Sequence, residues 1–464
     1  MKDTPSAGSG HVELDGAAVE TLGAGLRGRL IRPGDEDYET ARKVWNGMVD
    51  KRPALIARCA GAADVIQAGN FAKTNDLLVA VRGGGHNVAG SAVCDDGMVI
   101  DLSSMKGIRV NPTGRTVRAQ PGLTWNEFDR ETQAFGLATT GGFLSTTGIA
   151  GLTLGGGLGW LMRSYGLACD NLLSVDIVTA DGRLLTASAT QNQDLFWGVR
   201  GGGGNFGVIT SFEYRLHPVG PLVLGGAVAH PLPKAKEVFQ FYREYTQSAP
   251  DELTTYAGLG PSPDGQPVAI LLTCYSGPVD KGHQIVRPLR EFGPPVADMV
   301  APMPYAALQS MYNPLYPPGR LNYWKSSFLK ELSDDAIGTM IEYFTHAPSP
   351  LSGVALEELG GAVSRVSKDE TAFGERDAHY SLIITSQWID PAESEKNIRW
   401  ARDLWEAMQP FAKDTVYVNY LDHDEQTRIK AVYGPEKYNR LVALKNKYDP
   451  TNLFRMNQNI KPTV

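Results

Sequence analysis

The stretch Arg82-Gly83-Gly84-Gly85-His86-Asn87 decides how this chain is organised. An apolar, partly β-branched run at residues 77–81 precedes it and is typical of a buried strand. Three glycines then allow a sharp turn and a close approach of the backbone to a flat or anionic ligand, because no Cβ atom stands in the way. An imidazole, that of His86, follows at once. A tight surface turn beside an incidental histidine explains the stretch equally well when it is taken alone.

The residues before this turn predict a strand-helix-strand unit. Residues 53–59 are typical of a strand, and residues 63–74 have the single apolar face of an amphipathic helix. With residues 77–81 as the second strand, the glycine turn lies at its carboxyl end, where ligands bind in open α/β layers. Further upstream, the pattern from residue 35 to residue 45 predicts another helix.

Length and composition exclude several classes of protein. The chain has 464 residues, too many for one ordinary core, so we expect two domains. Its apolar fraction of 42% and charged fraction of 20% are those of a globular protein rather than a disordered one. The formal charge of −7 comes without long blocks of one sign, which argues against a nucleic-acid partner. The sequence contains no run of about 18 apolar residues, so it predicts no membrane-spanning helix.

The N-terminus and the cysteines indicate the compartment. The first ten residues are polar, rich in glycine and serine, and have no apolar signal core, so we expect a disordered tail on a cytoplasmic protein. The chain has four cysteines, Cys59, Cys94, Cys169 and Cys274. They are far apart in the sequence and include no CxxC pair. This spacing fits a reducing compartment and indicates neither a zinc site nor a disulfide framework.

A second glycine motif at residues 202–207 matches the GxGxxG pattern of Rossmann dinucleotide sites. That fingerprint requires a strand before the glycines and a helix after them, whose N-terminus holds the pyrophosphate. Here the next residues, 208–216, alternate in the manner of a strand. The sequence therefore argues against a Rossmann site at this position.

A third glycine-rich run extends from Thr139 to Trp160. Hydroxyl side chains and glycines alternate through it, so that consecutive backbone N–H groups can form an anion nest for phosphate oxygens without a lysine. A glycine-rich loop stacked on a sheet is the alternative. Two such loops framing a histidine favour a large, partly anionic cofactor.

The stretches that carry a family resemblance are residues 82–87, 146–160, 170–171, 201–208 and 457–460. Together and in this order they resemble the vanillyl-alcohol-oxidase/p-cresol-methylhydroxylase (PCMH) flavoproteins. Within that superfamily they resemble the berberine-bridge-enzyme-like branch. The resemblance covers nearly the whole chain. It implies an α+β fold with a two-part PCMH-type FAD-binding domain, residues 1–217 (core from about 49) and 420–464. A substrate-binding domain, residues 218–419, would contain an antiparallel sheet covered by helices.

The resemblance also implies how FAD is held. By position, His86 would be bonded covalently to the 8α-methyl group of the flavin, since an imidazole nitrogen is a suitable nucleophile. Doubly tethered members have a cysteine at the position of Leu144, and leucine cannot form that thioether, so we expect a single bond. The other residues expected to contact the cofactor are Arg82, Gly83, Gly84, Gly85, Asn87, Val88, Thr146, Thr147, Gly148, Gly151, Gly156, Gly159, Gly207, Val208, Asn457 and Asn459.

For the chemistry on the substrate, a base must remove a proton while hydride leaves the neighbouring carbon. Residues 417–420 resemble the Tyr-x-Asn element of the family, which makes Tyr417, Asn419 and Tyr420 candidates, with Tyr417 favoured. A buried tyrosine with a pKa of about 10 is a poor base, so a cation must lower the pKa, and Lys325 is the candidate. An aromatic wall with a lysine stem lying along it is the alternative.

Two adjacent carboxylates, Glu357 and Glu358, are further candidates. Neighbouring side chains in a strand point to opposite faces, so at most one of the two can enter a pocket.

The resemblance finally indicates the type of reaction. Thr147 falls where the flavin edge meets oxygen in the family, and a small residue there leaves room for oxygen, although a threonine merely packed in a loop is the alternative. We therefore predict an oxidase that removes hydride from a C–OH or C–NH carbon of a small alkaloid, sugar-like or other secondary-metabolite substrate, with O2 giving H2O2. A dehydrogenase with another acceptor and a non-catalytic flavin-binding protein are the alternatives. The sequence does not indicate an oligomeric state.

Overall fold

A computed structural model of the protein describes residues 14–262, 264–422, 425 and 428–464. The predicted disordered tail therefore lies outside the described residues. Within them the strands form four sheets. Helices pack on both sides of the first sheet, and the longer helices of the last sheet pack on one of its faces. This mixed architecture confirms the predicted α+β fold class.

The first sheet is built around the glycine turn. Its strands are β1 (Arg29–Ile31), β2 (Leu55–Arg58), β3 (Val79–Arg82) and β4 (Met98–Asp101), in the order β1-β2-β4-β3. Strands β2, β4 and β3 are parallel, and β1 is antiparallel to β2. The helices of this part are α1 (Gly16–Gly25), α2 (Tyr38–Ala41) and α3 (Ala62–Thr74). The predicted strand-helix-strand unit is thus confirmed.

The helix predicted for residues 35–45 is wrong in extent, because α2 is one turn long. After it the N–H of Trp45 bonds to the carbonyl of Gly85 at 3.0 Å, and the Trp45 indole stacks on the ring of His86. A helix through residue 45 would forfeit both contacts, so tertiary contacts with the glycine turn override the local pattern.

The second sheet is antiparallel, in the order β5-β6-β10-β8-β9. In chain order the strands here are β5 (Ile108–Asn111), β6 (Thr116–Ala119), β7 (Leu137–Ala138), β8 (Leu172–Val178), β9 (Leu184–Ser188), β10 (Val208–Arg215) and β11 (His217–Pro218), with β7 and β11 paired separately. The helices are α4 (Trp125–Gln133), α5 (Ile149–Leu154), α6 (Met162–Tyr165) and α7 (Gln193–Val199). Because β10 follows the 202–207 motif directly, the rejection of a Rossmann site agrees with the structure.

The largest sheet forms a broad antiparallel layer in the order β15-β12-β14-β13-β18-β19-β17, with β16 also paired to β12. Its strands are β12 (Val223–Pro231), β13 (Leu253–Pro261), β14 (Pro267–Tyr275), β15 (Ala297–Asp298), β16 (Ala301–Met303), β17 (Leu321–Leu329), β18 (Gly353–Glu358) and β19 (Tyr380–Trp388). The helices are α8 (Ala235–Thr246), α9 (Val279–Glu291), α10 (Tyr305–Ser310), α11 (Asp334–Thr345), α12 (Ala362–Arg365) and α13 (Ser394–Met408).

Alternation along these strands separates two faces of the sheet. On β13, Ala257 and Leu259 pack in the hydrophobic core formed with α8, α9, α11 and α13, whereas Tyr256 belongs to a different cluster on the other face. The helix-covered face is therefore closed. The opposite face is turned toward the glycine-rich loops, and this arrangement positions the site described below.

The C-terminal part of the chain returns to the first half. Helix α14 (Ile429–Tyr448) bends where Gly434 has a positive φ of 71° and ends at the Tyr448-Asp449-Pro450 sequence. One hydrophobic core joins residues 117–216 to residues 416–460. The domain boundaries after residues 217 and 419 stay a prediction. Among the helices of the described residues, none combines the length and the apolar character needed to cross a membrane.

Candidate active site

The first and third glycine-rich stretches meet backbone against backbone. A Cβ atom on Gly84 would lie 2.5 Å from the backbone nitrogen of Gly148, closer than any real contact, so only glycine permits this approach. The contact puts the turn after β3 beside the segment that leads into α5. Two stretches more than sixty residues apart in sequence thus form one wall of the site.

His86 projects from this wall between two defined neighbours. Its ring stacks on Trp45 with the centroids 4.3 Å apart, and its Nε2 lies 3.4 Å from the Thr146 hydroxyl oxygen. Burial disfavours the imidazolium form and lowers the pKa of His86 to about 4. The imidazole is therefore neutral at physiological pH and has a lone pair available.

A cavity of about 400 Å³ extends from these loops to the open face of the large sheet. The predicted residues that line it are Gly83, Gly84, Gly85, His86, Asn87, Val88, Thr147, Gly148, Gly151, Gly207, Val208, Asn457, Tyr417, Asn419 and Tyr420. Leu144 also lines it. The structure therefore brings most of the predicted residues to one place, whereas the predicted Arg82, Thr146, Gly156, Gly159, Asn459 and Lys325 are not part of the lining.

Arg82 has a structural position rather than one in the cavity. Its guanidinium lies 2.7 Å from the carboxylate of Asp101, which is fully buried, and it also donates to the carbonyls of Ala41 and Lys43. Burial alone would raise the pKa of Asp101, but the charge and hydrogen bonds of Arg82 outweigh it, and the pKa is lowered. Arg82 thus fixes the end of β3 from which the glycine turn starts.

Gly156 and Gly159 are close-packing positions instead of cavity positions. A Cβ atom on Gly159 would lie 1.6 Å from the carbonyl oxygen of Gly141, and one on Gly156 would lie 2.6 Å from the ring of Phe373. Both glycines therefore allow neighbouring segments to touch. Thr146 is exposed and is connected to the site by its contact with His86.

The C-terminal motif is joined to the second glycine motif by Asn205. Its side-chain amide donates to the carbonyls of Gly202 and Gln458 at 2.9 and 3.0 Å, and its oxygen accepts the N–H of Ile460 at 3.0 Å. Sequence reasoning did not assign this residue, although it lies inside a quoted motif. These bonds bring Asn457 to the cavity and leave Asn459 beside it.

Two observations indicate that the loops fit a large cofactor such as FAD. A Cβ atom on Gly151 would meet no protein atom within 4 Å, so the backbone there faces open space in the cavity wall. Next to Gln458, which lines the cavity, the buried Oδ1 atom of Asn459 has no hydrogen-bond partner among the described residues. An exposed glycine backbone and an unsatisfied amide are what a ligand with many polar atoms would complete.

Opposite the loops, Glu357 of β18 enters the cavity. Its Oε1 accepts a 2.6 Å hydrogen bond from the hydroxyl of Tyr420, and its Oε2 has no hydrogen-bond partner within the described part of the chain. Burial raises the pKa of Glu357 to about 7, against the opposing effects of the Tyr420 hydroxyl and of the Ser381 hydroxyl, which lies nearby without forming a hydrogen bond of good geometry. Its neighbour Glu358 points to the other face and pairs with Arg163, so one carboxylate of the two enters the site, as predicted.

Tyr417 has the opposite hydrogen-bonding role to Tyr420. Its oxygen accepts N–H bonds from Gly157 at 2.9 Å, from Leu158 at 3.3 Å and from the Asn419 amide at 2.8 Å. Burial nonetheless raises the pKa of Tyr417 above its ordinary value. For Tyr420, burial and the nearby Glu357 charge raise the pKa well above the ordinary value. Neither tyrosine has the lowered pKa that the sequence-based hypothesis required of a base.

Lys325 lies on the face of β17 turned away from the cavity that Tyr417 and Tyr420 line, which corrects its predicted role. Side chains alternate along β17, and it is Trp324 that lines the cavity. Lys325 lies on the helix side, where its ammonium group is 3.2 Å from the Glu425 carboxylate and 5.6 Å from the ring centroid of Trp405. The sequence showed that alternate residues share a face but not which face turns to the cavity.

Aromatic residues that sequence reasoning did not assign complete the wall around Glu357. Phe143, Trp160 and Tyr256 pack edge to face, with ring centroids 4.5 to 5.5 Å apart. Tyr312 stacks on Trp160 at 6.1 Å. Trp160 was quoted within the third glycine run, whereas Tyr256 and Tyr312 belong to strands and loops whose packing no motif indicates. This wall suits a flat organic substrate.

Comparison with known proteins agrees with this geometry. Residues 53–188 match the family model described as FAD binding domain, and residues 416–461 match the one described as Berberine and berberine like. A FAD-linked oxidoreductase from Dictyostelium discoideum is 34% identical over 445 residues, which cover 94% of this chain and 95% of that protein.

Two further similarities concern one named activity. The (R)-6-hydroxynicotine oxidase of Paenarthrobacter nicotinovorans is 31% identical over 448 residues, covering 94% of this chain and 97% of the relative. The crystal structure of 6-hydroxy-D-nicotine oxidase from Arthrobacter nicotinovorans superposes with a TM-score of 0.87 at 29% identity, covering 94% and 98% of the two chains. The chain therefore belongs to the berberine-bridge-enzyme-like branch of the vanillyl-alcohol-oxidase/PCMH superfamily and is an FAD-linked oxidoreductase.

Proposed function

We propose that this enzyme is an oxidase that removes hydride from a C–OH or C–NH carbon of a small organic substrate and uses O2 as electron acceptor. The observation that carries the proposal is one cavity lined both by the His86 loop and by Glu357 with its aromatic wall. Bound FAD supplies the redox chemistry, as acceptor of the hydride and donor of electrons to oxygen. The protein supplies a base, orientation and an environment largely free of water.

The base in this proposal is Glu357 rather than Tyr417. A general base works best with a pKa near the operating pH, and burial brings Glu357 there, to about 7. Its Oε2 is unpartnered among the described residues and is available for the O–H or N–H proton of the substrate. Tyr420 holds the other oxygen, so the carboxylate has a fixed orientation. Tyr420 thereby becomes an orienting group, whereas Tyr417 accepts the N–H groups of Gly157 and Leu158.

Attachment of the cofactor through His86 alone is also proposed. The support is a neutral imidazole inside the loop wall, held by Trp45 and Thr146. Leu144 lines the same cavity and has no sulfur with which to form a second bond. We further propose that Arg82 acts by fixing the turn, while Gly83, Gly148, Gly151 and the residues near Asn457 contact the cofactor.

The attachment is tested by acid precipitation of the purified yellow protein. We expect the colour to stay with the wild-type pellet and to move to the supernatant for His86→Ala. The variant His283→Ala, in helix α9 and remote from the loops, is the matched control and should retain the colour. Colour in the wild-type supernatant would contradict the covalent bond, while bound but extractable FAD would leave the oxidoreductase assignment intact.

The role of Glu357 is tested by mixing substrate with the enzyme under anaerobic conditions and following flavin bleaching. Glu357→Gln keeps the shape but cannot accept a proton, and general base catalysis contributes about 10²- to 10⁴-fold, so reduction should slow by that factor. The control is Glu395→Gln, whose side chain is exposed. An unchanged rate in Glu357→Gln would refute the proposed base.

A second mixing experiment identifies the electron acceptor of the reduced flavin. Rapid reoxidation of the reduced enzyme by O2 with formation of H2O2 supports an oxidase, whereas slow reoxidation by O2 and fast reoxidation by a quinone support a dehydrogenase. A broad panel of alkaloid amines, sugars and aromatic alcohols serves to find the substrate. A cytoplasmic location stays a prediction.

A further inference from the structure

The cavity continues beyond Glu357 along the open face of the large sheet, in a direction that the proposed chemistry does not use. On β13 the residues facing the cavity after Tyr256 are Gly258 and Gly260, and on the neighbouring β18 those before Glu357 are Ala355 and Gly353. Gly258 is opposite Ala355 in the register of the two strands. Four positions in two adjacent strands thus have almost no side chain, and they form a smooth track in the sheet.

Larger side chains border the track, and one of its glycines has open space above it. Ile270 of β14 and Ile383 of β19 line the cavity on either side, and Thr385 lies next to Gly353. A Cβ atom on Gly260 would meet no protein atom within 4 Å, so this glycine is not required by packing within the chain. Glycine weakens a strand and often marks a place where another molecule approaches the backbone closely. None of the residues of the track belongs to the glycine-rich loops.

The two ends of the track have opposite charges. Apart from the neutral His86, Glu357 and Arg320 are the titratable charged residues of the cavity lining in the described part of the chain. Strand β19 runs past both residues and so measures the distance between them. Glu357 pairs with Ser381 of this strand, and the Arg320 guanidinium donates to Gln387 further along it. Six residues at about 3.4 Å per residue place these positions about 20 Å apart.

The Arg320 guanidinium retains donors for a ligand. Its Nη1 donates to the side-chain oxygen of Gln387 and to the carbonyl of Leu315, both of which are neutral acceptors. No carboxylate of the described residues forms an ion pair with it. A half-buried guanidinium with free N–H groups and a positive charge is suited to a planar carboxylate.

We propose that this track is a distal substrate subsite, which binds the extended body of a substrate and places a carboxylate on that substrate against Arg320, while the reacting carbon lies beside Glu357. The substrate class is therefore an elongated, largely apolar molecule with an oxidisable C–OH or C–NH carbon at one end and a carboxylate at the other. This inference rests on the proposed function for the identity of the reacting end, and on the track alone for the distal end.

The test is a binding measurement by titration calorimetry on the purified, flavin-containing enzyme. The probes are phenylacetate and 12-phenyldodecanoate, whose extended length matches the separation of about 20 Å, each compared with its uncharged N-methylamide. The phenyl ring matches the aromatic wall, and only the longer acid reaches Arg320. We expect 12-phenyldodecanoate to bind about 10-fold more tightly than its amide, as for a charge-assisted contact, and phenylacetate to show no such preference.

Two variants separate the two parts of the proposal. Arg320→Gln should remove the preference for the long acid over its amide, whereas Arg399→Gln, at an exposed position, should retain it. Gly260→Val adds a side chain to the track at a position where a Cβ atom meets no protein atom, and it should weaken the long acid about 10-fold while leaving phenylacetate unchanged. Flavin content and the thermal midpoint of unfolding show whether each variant is folded.

The proposal is overturned if the wild type binds long acid and long amide equally or not at all, or if Arg320→Gln keeps the preference. The claim that the substrate lies along the track is overturned if Gly260→Val binds the long acid as tightly as the wild type. Because no turnover is measured, failure of the oxidase assignment would leave these results unchanged, and failure of these results would leave the oxidase assignment unaffected.

Discussion

The hydroxyl of Tyr420 donates a 2.6 Å hydrogen bond to Oε1 of Glu357, across 63 residues of sequence. In this bond the phenol is the donor and the carboxylate is the acceptor, so the two groups have different roles. A phenol that donates to a carboxylate stabilises the ionised carboxylate and becomes harder to ionise itself. Glu357 is therefore the proton acceptor of the pair, and Tyr420 adjusts its pKa and its orientation.

Tyr420→Phe removes this donor and should raise the pKa of Glu357. A hydrogen bond to a charged group contributes about 1.5–3 kcal/mol, which corresponds to about one to two pH units. Since the base acts when ionised, the midpoint of the pH profile for flavin reduction should move upward from about 7 by that amount. Stopped-flow reduction between pH 6 and pH 10 measures it.

The matched control for this variant is Tyr312→Phe. The Tyr312 hydroxyl also lies at the cavity but has no hydrogen-bond partner among the described residues. Its removal should leave the midpoint of the pH profile in place. A midpoint that falls, or stays fixed, in Tyr420→Phe would show that Glu357 is not the group that titrates.

Tyr417→Phe should lower stability rather than move the pH profile. The lost oxygen leaves the N–H groups of Gly157 and Leu158 without this acceptor in a buried place, and each unsatisfied group costs about 1–3 kcal/mol. We expect a lower midpoint of urea unfolding with an unchanged pH midpoint of reduction. The reverse result, an intact urea midpoint and a shifted pH profile, would restore Tyr417 as the base.

Arg82→Met should destabilise the protein by about 3 kcal/mol at pH 7, because it leaves the buried Asp101 carboxylate with Arg58 as its remaining cation. The pKa of Asp101 is lowered in the folded state, so its contribution is present above the unfolded pKa and is lost as the pH falls through the folded pKa. The stability difference between wild type and variant should accordingly shrink below about pH 4.

Urea unfolding at pH 7 and in acid measures this difference. Arg399→Met, at an exposed position, is the control and should change stability by less than about 0.5 kcal/mol. Equal stability of Arg82→Met and wild type at pH 7 would contradict the structural role given to Arg82 and return it to the list of cofactor contacts.

Local sequence signals predicted much of the fold correctly. Thr124 and Glu127, a Thr-x-x-Glu pattern in the sequence, form a capping box at the start of α4, and the turn pair Asp181-Gly182 lies between the paired strands β8 and β9. In both places the signal acts within four residues of chain and depends on hydrogen bonds that the segment makes with itself. The glycine stretches were also located correctly, because close backbone approach requires glycine whatever the partner is.

The site could be predicted only in part, since its decisive contacts join distant segments. No pattern shows that Tyr420 reaches Glu357, and single glycines such as Gly258 and Gly260 do not stand out in a chain with 51 of them. Lys325 was misplaced for a similar reason. Alternation identifies the two faces of a strand, but the packing of α13 decides which face is covered.

Thr147→Ile should slow reoxidation by O2 without slowing reduction by substrate. Thr147 lines the cavity, and its backbone is held on both sides, by the N–H bond to Leu144 and by the Trp125 N–H bond to its carbonyl. The backbone therefore stays in place, and the larger side chain takes space from the cavity. If oxygen reacts beside Thr147, we expect reoxidation to slow about tenfold, equivalent to about 1.4 kcal/mol in the barrier.

The measurement mixes the reduced enzyme with O2 and follows the return of the oxidised flavin spectrum. Thr147→Ser, which keeps the space open, should retain the wild-type rate. Slowing of both half-reactions in Thr147→Ile would indicate general damage to the cavity, and an unaffected reoxidation rate would place oxygen access elsewhere. Selective slowing of reoxidation would identify this side of the cavity as the oxygen side, opposite the sheet that carries Glu357.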